Sequence, residues 1–292
     1  MNIGPMGTGA IDTNDVKILK GIGRWFDLNG ESIHGCGRTP VQVQAWGETT
    51  LKGKILYLHV FEWPANGELI LGGVNGEVSK AYLLSNKSKI LKIKRHGPDL
   101  KIDVPKIAPD TIDAVIAVEF NSVLVGDAAR LISNNVASNV LRALDAKVIG
   151  GVEWGDGNRN QNYAKNWKTK EGSIMWEVRL AKKTKFDLLI NYEAPGKSKT
   201  KLVEGYAGKE VEKERKGSGG TFMVSIGNHQ WTKTVTEGGK QGDYLGKVIL
   251  ESGNYQIKIS AKEITGEELF RLNSFELRPL SQLIKTILMN RP

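Results

Sequence analysis

Ile55-Leu56-Tyr57-Leu58-His59-Val60-Phe61 is the stretch that decides the fold. It is short, apolar and rich in β-branched and aromatic side chains. Gly53 precedes it, and Pro64 to Gly67 form a turn signal behind it. A run of this length bounded by breakers reads as a buried strand. Upstream, Val41, Val43 and Ala45 alternate with glutamines. Downstream come Glu68-Leu69-Ile70-Leu71, Ala81-Tyr82-Leu83-Leu84, Ile90-Leu91-Lys92-Ile93, Leu100-Lys101-Ile102 and Ala114-Val115-Ile116-Ala117-Val118. Short strands with turn signals every ~8–12 residues predict an antiparallel β-sandwich over 36–120.

The flanks differ from this block. Residues 1–35 read as strand end, loop and helix: Gly4-Pro5-Met6-Gly7-Thr8-Gly9 is rich in breakers, and Asp12 or Thr13 caps the next helix. Ile18, Ile22, Trp25 and Phe26 then recur at helical spacing until Asn29-Gly30 stops the helix. Residues 121–135 lack a period and are expected to be a linker. Residues 136–280 return to strands, beginning near 139–149, with Met175 to Leu180, Phe186 to Tyr192 and Tyr255 to Ser260 the clearest. Together they resemble a jelly-roll sandwich of the carbohydrate-binding kind. Lys209 to Gly220, polar and Gly-rich, is expected to be a loop or disordered excursion. In the 281–292 tail, Leu283, Ile284, Ile287 and Leu288 share one helical face.

Composition narrows the function classes. The 292 residues are 40% hydrophobic and 25% charged, ordinary for a soluble globular protein. No apolar run nears the ~20 residues of a membrane span, so no membrane partner is expected. Cys36 is the only cysteine, which rules out an intrachain disulfide and a Cys-based zinc site, and four scattered histidines show no ligand spacing. No metal or cofactor is expected. The net charge of +9 permits acidic partners, but the lysines are dispersed and no nucleic-acid motif is present. The first residues carry no signal peptide, so either the protein is cytoplasmic or its true N-terminus lies upstream.

Two landmarks then stand out. Asn2-Ile3-Gly4-Pro5, followed by Gly9-Ala10-Ile11 and a helix running to Trp25 and Asn29-Gly30-Glu31-Ser32-Ile33-His34, resembles a segment of glycoside hydrolase family 29, the α-L-fucosidases. There an "LLNIGP…DG.I" segment is the last strand and loop of the catalytic barrel, and a "W…NGE.IY" segment ends its last helix. Here Thr8-Gly9 stands for the family's "DG", and His34 for its tyrosine. Thr50-Leu51-Lys52-Gly53 with Leu56-Tyr57-Leu58-His59-Val60-Phe61-Glu62-Trp63-Pro64 is similar to the opening of that family's C-terminal sandwich. The resemblance implies a mainly β chain: two antiparallel β-sandwiches preceded by the last βα unit of a (β/α)8 barrel cut off after its catalytic residues. It also implies retaining hydrolysis of terminal α-L-fucosyl linkages by the parent protein, acting on fucosylated glycans. Such a parent would be exported, periplasmic or extracellular.

The chemistry needs two carboxylates about 5–5.5 Å apart, placed at strand ends of a barrel of on the order of 250 residues. In the family both come from strands earlier than the one that opens this chain. Asp12 and Asp15 read as helix N-terminal residues, Glu31 lies past the helix stop and Glu62 sits in a strand, so no catalytic residue is assigned. Asn2, where the strand would meet the rim, is the candidate for barrel-rim support. The candidate sugar platforms are Trp154, Tyr163, Trp167 and Trp231, aromatics in or beside loops rich in Asn, Asp and Gly, because sugar C–H faces stack on such rings. The fragment is expected to be inactive without the missing N-terminal barrel of the same protein. The alternative is a non-catalytic carbohydrate-binding or structural β-sandwich module.

Overall fold

A computed structural model describes residues 4–155, 162–204 and 209–280, with backbone alone for 200–204 and 209–215. Asn2 and the 281–292 tail lie outside the described residues. The chain divides into two compact units, Met1–Ala128 and Ala129–Pro292.

The first unit opens with helix α1 (Thr13–Asn29). Asp12 caps it, its carboxylate accepting from the Asn14 amide at 2.8 Å, and Asp15 lies in the electropositive first turn. A 3-10 turn (Gly30–Ser32) comes next. The strands are β1 (Gly47–Lys52), β2 (Ile55–Val60), β3 (Glu68–Leu71), β4 (Val74–Asn75) and β5 (Val78–Leu83). Then come β6 (Asn86–Leu91), β7 (Ile93–His96), β8 (Asp99–Asp103), β9 (Ala114–Phe120) and β10 (Val125–Gly126). They form a five-stranded sheet in the order β1-β2-β9-β5-β6, a three-stranded sheet β3-β8-β7 and the pair β10-β4.

The inner faces of the two larger sheets meet in one core: Leu56, Leu58, Ile116 and Val118 against Leu69, Leu71, Leu100 and Ile102. The outer face of the five-stranded sheet is buried too. Tyr57, Tyr82, Val115 and Ala117 lie there, with Trp25 and Cys36 packed on them. Burial on both faces explains why β2 and β9 read as unbroken apolar runs rather than as alternating ones.

The second unit starts with β11 (Arg130–Ile132), β12 (Asn139–Arg142), β13 (Lys147–Ile149), β14 (Glu153–Trp154) and β15 (Ala164–Lys165). Longer strands come after these: β16 (Ser173–Leu180), β17 (Thr184–Glu193), β18 (Ser198–Glu204), β19 (Lys209–Arg215) and β20 (Gly220–Ile226). The last are β21 (His229–Thr234), β22 (Lys240–Leu250), β23 (Gly253–Ile264) and β24 (Arg271–Pro279). One sheet runs β11-β16-β23-β20-β21, with β13 also on β16; the other runs β14-β15-β24-β17-β22, with β12 also on β24. All pairings are antiparallel except β11 with β16. A core centred on Ile174, Phe186, Phe222, Ile259, Phe270 and Phe275 fills the space between the sheets.

Two stretches depart from the sequence reading. Residues 121–135 hold two short strands and the boundary between the units, where a plain linker was expected. Lys209–Arg215 is a strand, not a loop. It pairs antiparallel with β18, from Ser198 opposite Arg215 to Glu204 opposite Lys209. Its polar sequence offers no apolar alternation that would announce a strand.

Candidate functional site

The first unit's candidate site lies where the C-terminal end of α1 meets the outer face of the five-stranded sheet. The Trp25 indole N–H donates to the Asp113 carbonyl at 2.7 Å. The Asp113 carboxylate faces His59 on β2, with Oδ2 2.9 Å from Nδ1. The other ring nitrogen of His59 is 3.4 Å from the Thr50 hydroxyl. A hydroxyl, an imidazole and a carboxylate in this order mimic a hydrolase triad. The donor direction excludes that chemistry: the Thr50 hydroxyl gives its proton to the Ser32 carbonyl at 2.6 Å, so His59 has no proton to accept from it. His59 is also buried. The group is a latch joining the segment behind α1 to the sheet. Nearby, burial first and then the charge of Glu31 push the Tyr57 hydroxyl up to about 12, which keeps it neutral in the packed face.

A mainly apolar cavity of about 430 Å³ opens beside this latch, lined by Ile22, Trp25, Leu28, Asn29, Ile112 and Asp113 among others. Its walls continue into an exposed apolar surface. Ile18 is 57% and Leu28 58% exposed, and of the 17 helix residues only Asn29 is buried.

The second unit separates the four aromatic candidates. Trp167 is 0% exposed, edge-on to Phe270 at 5.1 Å between ring centres and seated over Gly172. It offers no ring face to solvent. Tyr163 is buried beneath the Arg271 guanidinium, 5.4 Å from the ring centre. Trp231 lies on the edge strand β21, opposite the core residue Val224, and reaches across to Gly246 of the other sheet. It closes the side of the sandwich, and His229 stacks on it at 6.0 Å. Trp154 alone of the four is half exposed, at 49%.

Trp154 does not share a surface with the polar groups around it. It pairs with Ala164, which pairs with Leu272, both core residues. Alternation therefore turns Glu153, Lys165 and Arg271 to the opposite, outer face of that sheet. There, with Asn166, Lys168, Glu267 and Glu268, they line a polar cavity of about 340 Å³. Asn166 takes the left-handed conformation, φ 64°, rare for a residue with a side chain. Its amide N–H donates to Glu268 Oε2 at 3.0 Å, and its side-chain Nδ2 donates to Glu153 Oε1 at 3.1 Å. Arg271 Nε donates to Glu268 Oε1 at 2.9 Å. Burial opposes the charge on Arg271, but the Glu268 contact outweighs it and the guanidinium pKa is raised.

Sequence reading singled out Tyr163 in this region but missed Glu268 and Arg271. The bond from Asn166 to Glu268 spans 102 residues, so no local motif announces it. Among the described residues no group of three or more His, Cys, Asp or Glu is placed to hold a metal ion.

No family model matches the chain. It is 32% identical over 118 residues to an α-L-fucosidase of Dictyostelium discoideum, covering 37% of this chain and 26% of that protein. It is 28% identical over 124 residues to the human tissue α-L-fucosidase, covering 40% and 26%. The matched region thus spans about a quarter of the length of either curated relative. Among solved structures, the α-L-fucosidase of Vibrio sp. strain EJY3 superposes with a TM-score of 0.60 over 95% of this chain and 47% of that one, at 19% identity. At that identity the likeness concerns the fold alone.

Proposed function

We propose that this chain, whose homologues are α-L-fucosidases, is the non-catalytic C-terminal portion of such an enzyme. The whole protein hydrolyses terminal α-L-fucosyl linkages of fucosylated glycans with retention, and its reacting carboxylates belong to a barrel that precedes α1. The observation that carries this reading is the state of α1. Among the described residues, this 17-residue helix leaves Ile18, Ile22 and Leu28 of its apolar stripe exposed, the last two on the rim of the cavity. Burying each such side chain is worth roughly 1.5–3 kcal/mol. Helices of this length draw most of their stability from such packing. The latch at Trp25, Asp113 and His59 fixes one end of the helix to the sandwich, so the stripe is held out as a docking surface for the barrel.

Assay of this chain on an aryl α-L-fucoside tests the reading. The expected result is no turnover above the buffer rate. Turnover that disappears on Glu153→Gln or Glu268→Gln would overturn it, because the chemistry would then reside here.

A second role is favoured by one observation. Trp154 stands half exposed at the edge of the second sandwich, as a sugar-stacking ring would. Binding of fucosylated glycans that survives Trp154→Ala at full strength removes that platform.

A further inference from the structure

The polar cavity on the outer face of the β14-β15-β24 sheet has a use that the fucosidase reading does not supply. Its carboxylates are largely engaged by the protein itself. Glu268 accepts from Arg271 Nε and the Asn166 amide, Glu153 accepts from the Asn166 side chain, and Glu267 accepts from the Lys216 amide at 3.2 Å. Its cations are not engaged in the same way. Arg271 is fixed from behind by Glu268 and from beneath by the Tyr163 ring, and among the described residues its two terminal amino groups have no hydrogen-bond partner. Lys165 and Lys168 line the same cavity and form no ion pair among the described residues. Carboxylates stand near these cations, Glu153 opposite Lys165 and Glu193 opposite Arg271 in the ladders, but the terminal fork of the guanidinium and the two ammonium groups around it keep their hydrogen bonds to give. That is the donor set that captures an oxyanion, the fork in bidentate fashion and the lysines as point charges. Glu153 and Glu267 retain acceptor capacity at the rim, which suits hydroxyl donors on the same ligand. About 340 Å³ is at the small end of ligand pockets and fits a single sugar ring rather than a long chain segment.

We infer that this cavity binds a sugar residue bearing a carboxylate or sulfate group, with Arg271, Lys165 and Lys168 on the oxyanion and Glu153 and Glu267 on its hydroxyls. The oxyanion part rests on the cavity alone; the sugar part rests on the reading of the chain as part of a glycosidase. The overall charge of +9 favours the approach of such ligands.

Calorimetric titration of the intact chain tests this with methyl β-D-glucuronide and galactose 6-sulfate as probes. Methyl β-D-glucoside serves as the neutral control, and sodium acetate and sulfate as bare anions. The expected result is binding of at least one acidic sugar, weakened about tenfold or more in its neutral counterpart, by Arg271→Lys and by Lys168→Ala. Lys168 is exposed, so its variant keeps the fold even where Arg271 variants lose it. Equal binding of neutral and acidic sugars overturns the inference. So does acetate or sulfate binding as tightly as the acidic sugar, which would mean an anion site only. So does no binding of either acidic sugar, or binding that Lys168→Ala leaves unchanged. None of these outcomes bears on fucoside turnover, so failure here is distinguishable from failure of the fucosidase reading.

Discussion

Replacing Gly246 with alanine tests whether Trp231 is a wall of the second sandwich. Gly246 lies on β22 with φ +147°, a region that side-chain-bearing residues rarely occupy. A β-carbon there would sit 2.9 Å from Trp231 Nε1 and 3.3 Å from its Cδ1. The backbone contribution is about 1–3 kcal/mol. Displacing an indole packed on the core adds overpacking of about 1–3 kcal/mol. The sum, about 2–6 kcal/mol, is a large share of the stability of a unit this size. Urea unfolding followed by tryptophan emission measures it, with a red shift of the native spectrum expected as Trp231 moves toward water. Adding Trp231→Ala to the Gly246→Ala chain removes the steric part and leaves the backbone part. The two changes are therefore expected to couple by about 1–3 kcal/mol in a double-mutant cycle. A loss under about 0.5 kcal/mol, or strictly additive effects, refutes the claim that the indole closes the sandwich edge.

Trp167→Ala is expected to cost about 3–5 kcal/mol in thermal or urea unfolding, as for other fully buried aromatics, because its ring fills core space against Phe270. Asp113→Ala is expected to cost about 1–3 kcal/mol and to be read in the first unit's unfolding, since it strips His59 Nδ1 of its buried partner. The bond from Trp25 survives that change, because it is made to a backbone carbonyl. Glu276 sets an acid limit. Burial alone would raise its pKa, but hydrogen bonds from Asn191, Arg278 and Ser138 outweigh burial and hold it below the usual carboxylate range. A depressed folded-state pKa adds stability that is present above the unfolded value, about 4.3, and is lost as pH falls through the folded one. Glu276→Gln is therefore expected to cost about 1–3 kcal/mol at neutral pH and to flatten the acid limb of a stability-versus-pH curve; an unchanged acid limb contradicts the assignment.

The sandwich architecture was legible because β2 and β9 are central strands whose residues are apolar on both faces. Ile55 to Val60 and Ala114 to Val118 announce themselves without any knowledge of what they pack on. Edges and ladders of charge are quieter. The 2–4-residue strands between 125 and 149 are too short to show a period, and the hairpin of β18 and β19 carries a polar sequence without apolar alternation. The aromatic candidates fared according to what the sequence cannot display. Trp154 and Trp167 sit in similar Asn- and Gly-rich company, yet one is half exposed and the other sealed, because Phe270 and Gly172 arrive from distant and near positions to enclose Trp167. The polar cavity joins Glu153 and Asn166 to Glu268 and Arg271 across more than a hundred residues, a closeness that only the sheet register creates.

Helix α1 is latched at one end and exposed along its stripe, the state proposed above for a docking element. Amide hydrogen exchange of the intact chain tests this directly, peptide by peptide. Residues 13–24 are expected to exchange within seconds, while β2 and β9 stay protected at the level of the first unit's global stability. Protection of residues 13–24 equal to that of β2 and β9 would contradict this, since a helix exposed along its stripe has no packing to give it that protection.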